Sequence, residues 1–513
     1  MKHQTTALML VCGAATSAAL PPLHITPLAI ITLATLFHTL NHNKKTSANI
    51  LHTFTFAASY FATNLWWIAV AFSNETSYLK YFALPALILI ITINAAIWTL
   101  AALPLAYLKS TTQKLLAFPA AFTLAELVRA HLLGGFPWNP ISSIWTASTL
   151  TLQPLAWIGS DLLSATTLWT ASALAVTVAY LTKKPRAGIQ PSKQNIPLVA
   201  VTVVALLATP TLIIAAAPRL LHETQYISSA RLHLVQPNIP QKNKWLPEIR
   251  VQNLRKQTRL LAQNQNATHS ILPEATVVWP LNRSPGIRLQ LAQAVPQNGA
   301  LIAGGTTRLQ NDTLHNSVFV IQNNGNITAR YDKHKLVPFG EYVPFRRFIP
   351  LRKLTHGATD YSPGAGPRLT SAPGLPPFSP LICFEAVFSG RVTPAERPRW
   401  LLNLTNDAWF GNTPGPFQHL AAARMRAAEE GLPLVRVANN GVSAVIDGHG
   451  RILADIPLNR ADSLVSPLPQ PLRETPFARF GLLLPLLAAA VWLAAAVIPA
   501  VIPALGHRRA RET

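Results

Sequence analysis

Long apolar runs at both ends of the chain constrain it more than any motif does. They fall at about 7–20, 25–41, 52–73, 79–106, 115–132, 141–181, 196–217 and 477–505. A helix that crosses a bilayer needs roughly 20 mostly apolar residues, and most of these runs supply them, the first being short. Ala7–Leu20 follows Lys2 and is rich in alanine, the form of a signal-peptide core. The further runs behind it make it the first of a series. The run at 141–181 exceeds one ordinary span. Pro154 and Gly159-Ser160-Asp161 divide it into a surface or broken stretch up to Asp161 and a span from Leu162 to Leu181. The expected architecture is a membrane α-helical bundle of eight spans with one large soluble insert.

Composition and charge agree with that division. Half of the 513 residues are apolar and only 12% are Asp, Glu, Lys or Arg, against about 25% in a typical soluble protein. This excludes a simple soluble enzyme and a disordered chain. The net charge of +23 invites a nucleic-acid reading, but the insert at 219–476 holds 28 basic and 16 acidic residues and so carries only +12 of it. The rest sits in short loops, where it is a topology signal; nucleic acid is not an expected partner. Lys44-Lys45, Lys109 with Lys114, Lys183-Lys184-Arg186 with Lys193, and Arg508-Arg509-Arg511 follow spans two, four, six and eight. The connections at 21–24 and 74–77 hold no Lys or Arg, and the one near 133–140 has only Arg129 and His131 upstream. The positive-inside rule then puts both termini in the cytoplasm and the insert on the opposite side. The expected domains are 1–218 with spans one to seven, 219–476 as the soluble domain, and 477–513 with span eight and a cytoplasmic tail.

Within the insert the pattern changes to short, β-branched-rich runs: Leu232–Val235, Val277–Trp279, Leu301–Ala303, Val318–Ile321, Pro380–Cys383, Leu401–Leu404, Val435–Ala438 and Val442–Ile446. These read as buried strands. Leu246–Gln263, Arg288–Val295 and His419–Glu430 read as helices between them. Strand and helix in alternation predict an α/β sandwich. Asn324-Gly325 and Asp447-Gly448 follow two of the runs as hairpin turns.

Three segments set polar groups hard against strand-like runs: Ile271 to Pro280 with Glu274, Tyr331 to Glu341 with Lys333 and Lys335, and Leu381-Ile382-Cys383-Phe384-Glu385. The two cysteines, Cys12 and Cys383, lie in such different settings that a disulfide is not expected. Cys383 at a strand end could be a nucleophile if a base and a cation favour its thiolate. Glu274 could take its proton and Lys333 could balance negative charge. Equally, Cys383 could fill space in a sheet, Glu274 could cap or face solvent, and Lys333 could solubilise a strand edge. No Gly-x-Ser-x-Gly elbow competes, and no Cys pair or His-Glu-x-x-His supports a metal.

Residues 231–450 resemble the carbon–nitrogen hydrolase (nitrilase) superfamily, whose Glu, Lys and Cys sit on an αββα sandwich. The resemblance extends to its membrane-embedded apolipoprotein N-acyltransferase family. It is carried by Leu234-Val-Gln-Pro-Asn-Ile-Pro-Gln241 with Trp245, by Tyr331-Asp-Lys-His-Lys-Leu-Val-Pro-Phe-Gly-Glu-Tyr-Val-Pro344, by Asn406-Asp-Ala-Trp409-Phe-Gly411, and by Gly415-Pro-Phe-Gln-His419. Arg424-Met-Arg-Ala427 with Glu429, and Glu126 and Arg129 ahead of Gly135-Phe-Pro-Trp-Asn139, follow the family's order. The resemblance implies a nitrilase-like fold with Glu274 as base, Lys333 rather than Lys335 as the lysine, and Cys383 as nucleophile. Glu341 matches a further acid, and Phe384, Glu385, Trp245, Asn406 and Trp409 match supporting positions. Phe384 stands where the family often has Tyr, Leu272 where it often has Trp, and Ser142–Trp145 departs from a usual Gly-Tyr.

The activity the resemblance implies is transfer of an acyl chain from a membrane phospholipid to the N-terminal amine of a diacylglyceryl-cysteine lipoprotein, through a thioester. It implies a monomer in the bacterial inner membrane with a periplasmic catalytic domain, needing no cofactor and no metal. A membrane-tethered amidase using the same triad is the alternative, though eight spans are a costly accessory for a soluble amide. A transporter should show charged or broken helices lining a path, and only Glu126 with Arg129, and Asp161, offer anything similar. Finally, Val337 to Leu354 interleaves Phe345, Phe348, Ile349 and Leu351 with Arg346, Arg347, Arg352 and Lys353. Its prolines forbid a long helix. It reads either as an arm on a lipid interface or as an ordinary loop with packed aromatics, with Gly340, Gly357, Gly364 and Gly366 as candidate hinges.

Overall fold

The computed structural model describes residues 2–43, 45–73, 78–182, 196–242, 244–264, 266–296, 299–348, 352–357 and 359–509. The loop charges Lys44, Lys183, Lys184, Arg186, Lys193 and Arg511, the connection at 74–77, and Ile349 to Leu351 of the arm lie outside the described residues. The chain divides into two compact units. One takes in Met1–Trp66, Leu87–Arg219 and Arg479–Thr513, the other Trp67–Ala86 and Leu220–Ala478.

Helices α1 (Lys2–Ser17), α2 (Thr26–His42), α3 (Thr46–Leu65), α4 (Ile68–Ser73), α5 (Ala83–Ala102), α6 (Thr111–His131), α7 (Thr149–Leu152), α8 (Leu155–Leu181) and α9 (Ile196–Ala216) come before the strands. Among the described residues, three helical stretches are long and apolar enough to cross a membrane: Tyr78–Tyr107, Leu155–Leu181 and Ile196–Leu221, with mean hydropathy 2.3, 1.5 and 2.5. The other apolar runs are helical too, but for identifiable reasons they fall short of that standard. α1 and α2 have 16 and 17 residues, α3 includes Asn49, His52 and Asn64, and α6 carries Lys114, Glu126 and Arg129. α8 breaks where the glycine was expected to break it, with Gly159 at φ 69° and ψ 178°, a region open to glycine at little steric cost.

The charges of α6 are fully engaged. Arg129 donates to Asn94 Oδ1 (2.7 Å), to both carboxylate oxygens of Glu126 (2.8 and 2.6 Å), and to the carbonyls of Phe136 (3.3 Å) and Trp138 (2.8 Å). Trp98 Nε1 donates to Glu126 Oε1 at 2.7 Å. A buried ion pair is tolerable when its remaining donors are satisfied in this way. The pair therefore ties the Gly135–Asn139 segment to α6.

The second unit is a four-layer sandwich. Strands β1 (Tyr226–Gln236), β2 (His269–Leu272), β3 (Ala300–Arg308), β4 (Leu314–Gln322), β5 (Ile327–Asp332), β6 (Phe378–Ile382), β7 (Trp400–Thr405), β8 (Leu434–Ala438), β9 (Ser443–Ile446), β10 (Ile452–Ile456) and β11 (Asp462–Pro469) form two sheets. Their orders are β11-β1-β2-β3-β4-β5 and β10-β9-β8-β7-β6. Strand side chains alternate between faces, and the burial follows. Leu232, Leu234, Ile302, Val318 and Val320 of the first sheet meet Phe378, Leu402, Leu404 and Val435 of the second. The outer partners Leu301, Ala303, Phe319 and Ile321 pack under α10 (Pro247–Ala262) and α11 (Pro285–Ala292). Leu381, Leu401, Leu434 and Ala444 pack under α12 (Gly415–Glu430). Helices α13 (Pro476–Phe480) and α14 (Leu483–Arg509) close the chain.

Several boundaries differ from expectation. Val277–Trp279 is not a strand: it lies in the irregular connection after β2, where Val277 is buried between sheet and helix. The helix expected at Arg288–Val295 begins at Pro285, whose fixed φ suits a first turn, and ends at Ala292. The third apolar run stops at Leu65, and Trp67–Ala86 belongs to the sandwich unit. There Trp67 Nε1 donates to Gln418 Oε1 at 3.0 Å, and Phe72 and Leu79 pack with Leu354 and Trp409.

Candidate active site

The candidate residues gather where strands end. Glu274 follows β2 by two residues, Lys333 follows β5 directly, Cys383 follows β6 directly, and Asn406 follows β7 directly. β1, β2 and β3 run parallel, and so do β6, β7 and β8. Antiparallel pairing through β4 turns β5 back to the direction of β3. Carboxyl ends of strands are the usual location of sites in parallel α/β sheets.

Lys333 is buried between two carboxylates. Its Nζ lies 2.9 Å from Glu341 Oε2 and 3.6 Å from Glu274 Oε1. The first is a hydrogen-bonded ion pair and the second a charge contact only. Asn316 Nδ2 donates to Glu274 Oε1 at 2.7 Å and to Glu341 Oε1 at 2.9 Å, spanning the two acids. Glu274 Oε2 accepts the backbone N–H of Asn406 at 2.9 Å, and Glu341 Oε2 accepts that of Val337 at 2.9 Å. The lysine's own backbone is pinned on both sides: Lys333 N–H donates to Asn316 O, and Gly364 N–H to Lys333 O, both at 2.8 Å. Gly364 is thus held tightly. A Cβ there would sit 2.1 Å from Asp332 O, so the residue meets a need for close approach where a hinge was expected.

The electrostatics follow from burial and these neighbours. Burial pushes Glu274 above its ordinary pKa, with Lys333 opposing and Glu341 adding to the rise. Burial works against the ammonium of Lys333, but Glu341 and Glu274 outweigh it and hold the group well above its usual value. Burial and the charge of Glu274 push the Cys383 thiol far up, Lys333 opposing. Burial thus favours the neutral thiol, and the thiolate is made by proton transfer during reaction, as expected of Glu274 from the sequence.

Cys383 occupies a left-handed turn, with φ +51°. Glu385 braces that turn. Its Oε2 accepts the N–H of Ile382 at 2.7 Å, its Oε1 accepts the N–H of His334 at 2.7 Å, and Tyr331 Oη donates to it at 2.9 Å. Phe384 is buried edge-on against Phe388, with centroids 5.0 Å apart. The ammonium of Lys335 lies 5.2 Å from the Phe388 ring centroid, and its backbone N–H donates to Glu385 Oε1 at 3.2 Å. Of the supporting positions, Asn406 joins the site through its N–H. Trp245 stacks on His356 at 4.6 Å, and Trp409 packs in the Phe72–Leu79–Leu354 cluster. Asn316, Tyr331 and His334 were missed as site residues. Nothing in a lone Asn316 within a strand-like stretch marks it; only the register of β4 against β5 brings it to Lys333.

The arm is more mixed than its sequence suggested. Phe345 and Phe348 are 65% and 78% exposed, and Arg347 and Arg352 are exposed. Arg346 is paired with Asp360, its Nε donating to Oδ2 at 2.9 Å. Lys353 is buried, its ammonium donating to Thr355 O (3.1 Å), Thr355 Oγ1 (2.8 Å) and His356 O (3.1 Å). Lys353 therefore has no donor left for a lipid surface. Among the described residues no three His, Cys, Asp or Glu side chains are grouped as metal ligands.

Comparison with known proteins covers nearly the whole chain. Residues 231–475 match the carbon-nitrogen hydrolase family, and residues 12–173 match the family described as apolipoprotein N-acyltransferase N-terminal domain. The apolipoprotein N-acyltransferase of Rhodopseudomonas palustris is 31% identical over 92% of this chain and 91% of its own. That of Bradyrhizobium diazoefficiens is 34% identical over 72% of this chain and 70% of its own. That of Rickettsia prowazekii is 30% identical over 93% of this chain and 95% of its own.

Proposed function

Because the chain belongs to the apolipoprotein N-acyltransferase family, we propose that Cys383, Glu274 and Lys333 transfer an acyl group from a phospholipid to the N-terminal amine of a diacylglyceryl-cysteine lipoprotein. Its sandwich unit has the carbon–nitrogen hydrolase fold, joined to a helical N-terminal region. The observation that carries the reading is the buried Glu274–Lys333–Glu341 cluster, of which Glu274 and Lys333 act on the Cys383 thiol.

The reaction runs in two steps. Glu274 takes the thiol proton as Cys383 Sγ attacks the ester carbonyl, and the oxyanion is held by Lys333 and a backbone N–H near Phe384. The ester C–O bond then breaks, Glu274 returns its proton to the departing oxygen, and a lysophospholipid leaves a thioester behind. In the second step the lipoprotein amine attacks that thioester. Glu274 takes the amine's proton, the C–S bond breaks, and Glu274 passes that proton to the departing Sγ, restoring the thiol and its own carboxylate. Glu341 and Asn316 keep Lys333 and Glu274 in register through both steps.

The membrane setting fits both substrates. The eight apolar runs act as eight spans, with both termini cytoplasmic, in 1–218 and 477–513. Residues 219–476 form the periplasmic catalytic domain of an inner-membrane monomer. Confining two lipid-anchored substrates beside the thiol raises their effective concentration. Phe345, Phe348, Arg347 and Arg352 meet the lipid surface.

Intact mass of the purified enzyme incubated with phospholipid tests the reading. It requires a single acyl increment that is stable in water and disappears on adding a diacylglyceryl-cysteine peptide, with acylated peptide appearing. An increment that decays at the same rate without the peptide marks a hydrolase and contradicts transfer.

A further inference from the structure

The turn that carries Cys383 is also braced from behind, and we propose that His419, oriented by the Arg436–Asp407 pair, is a positioning residue for the nucleophile. The inference rests on the reading of Cys383 as the reacting thiol. A residue other than glycine at φ +51° sits in a sparsely populated region and persists there only where surrounding contacts hold it. On one side Glu385 holds the N–H of Ile382. On the other, His419 Nε2 lies 3.0 Å from the carbonyl oxygen of Cys383 itself. That oxygen can only accept, so Nε2 carries the hydrogen. Asn403 Nδ2 approaches the same carbonyl at 3.5 Å and donates to Leu381 O at 3.2 Å.

The imidazole is itself fixed. With the hydrogen on Nε2, Nδ1 accepts from Arg436 Nη2 at 3.2 Å, beside Asp407 Oδ1 at 2.9 Å, to which Thr405 Oγ1 donates at 3.0 Å. Arg436 Nη2 donates to Asp407 Oδ2 at 2.6 Å. Asp407, His419 and Arg436 are all wholly buried. Room for the carboxylate depends on Gly441, where a Cβ would lie 2.2 Å from Asp407 Oδ2. Asp407 therefore holds Arg436, Arg436 holds His419, and His419 ends on the carbonyl of the residue that carries the thiol. A buried ion pair by itself adds little to stability compared with apolar residues of the same size. An apolar residue at 419 would fill the space yet leave the Cys383 carbonyl without its donor.

Removing the donor lets the turn relax and swings the thiol away from Glu274 and Lys333. A framework role would lower stability only, whereas a positioning role lowers the rate of each folded molecule. The test is single-turnover formation of the acyl-enzyme by the full-length protein with phospholipid in detergent, scored by intact mass and normalised to folded enzyme. His419→Phe should lose roughly 100-fold in rate, the scale of an ångström of misplacement, with half-saturation by phospholipid unchanged. His419→Gln, which can still reach the carbonyl, should recover most of the loss, and His419→Asn, one methylene shorter, should not. The Gln and Asn pair decides the matter even if the Phe variant fails to fold. Wild-type rates in the Phe or Asn variant, or equal losses in Gln and Asn, overturn the positioning role. Cys383→Ala serves as the blank: an adduct formed there overturns the nucleophile assignment, while a clean blank beside an unchanged His419→Phe rate overturns this inference alone.

Discussion

The two sheets of the sandwich meet the site with different means. At the end of the six-stranded sheet, Glu274, Lys333, Glu341 and Asn316 hold one another through charge and side-chain hydrogen bonds. At the end of the five-stranded sheet, what is held is backbone: Cys383 in a left-handed turn, fastened through its carbonyl by His419 and through Ile382 N–H by Glu385. On the first side function depends on which atoms are present. On the second it depends on where one turn points, so residues that never touch a substrate can control the rate.

Substitutions can break this contrast from either side. The largest expected effect is on stability, behind the nucleophile. Arg436→Met leaves Asp407 buried with no cation beside it, and breaking such a pair costs roughly 3–5 kcal/mol; denaturant unfolding in detergent measures it. Next comes Lys333→Met, which removes the cation from between two acids. Loss of an oxyanion-stabilising group costs roughly 100-fold or more in rate, whereas Lys335→Met, beside the Phe388 ring, should lose much less. Equal losses at the two lysines would erase the distinction between them. Single-turnover rates in detergent provide the comparison.

Acidity gives a subtler handle on the charged side. The working form of Glu274 is the carboxylate, and burial raises its pKa above the ordinary 4.5. Acyl-enzyme formation should therefore fall, as pH drops, through a midpoint above 4.5, and a midpoint at or below 4.5 contradicts the burial argument. The smallest effect is expected at the arm. Arg347 and Arg352 are exposed cations of the arm, alongside Arg346 in its pair with Asp360, and each basic residue near an anionic surface contributes about 1 kcal/mol. Neutralising both should slow acyl-enzyme formation on anionic vesicles and leave it nearly unchanged in detergent. Neutralising Lys353, whose donors are all used within the fold, should instead lower stability in both settings.

The same contrast explains what could be read from the chain. Cys383 directly follows a strand-like run, so local pattern exposes it; Glu274 and Lys333 follow β2 and β5, and family resemblance assigns both and selects Lys333 over Lys335. The strands that pattern found are those with apolar side chains on both faces, such as β3, β4, β7 and β8. β2 with His269 and Ser270, β5, and the edge strands β10 and β11 with their exposed residues escape it. Asn316, Asp407, His419 and Arg436 were illegible as site residues for a different reason. Their partners are long-range in sequence, and buried polar residues look the same in a row of letters whether they solidify a core or aim a thiol. Among the helices, Gly159 announced its own break, but the run at 52–73 gave no sign that Trp67 would leave α3 to pack on Phe410 and Gln418.

The central claim is that one thiol, Cys383, carries the acyl group between two lipid substrates. Its most direct test is to trap the acyl-enzyme formed with phospholipid, digest it, and locate the modification by mass spectrometry. The acyl group should be found on Cys383 alone, be released by neutral hydroxylamine as a thioester is, and be absent from Cys383→Ala. An acyl group on any other residue, or one that forms equally in Cys383→Ala, would contradict the account.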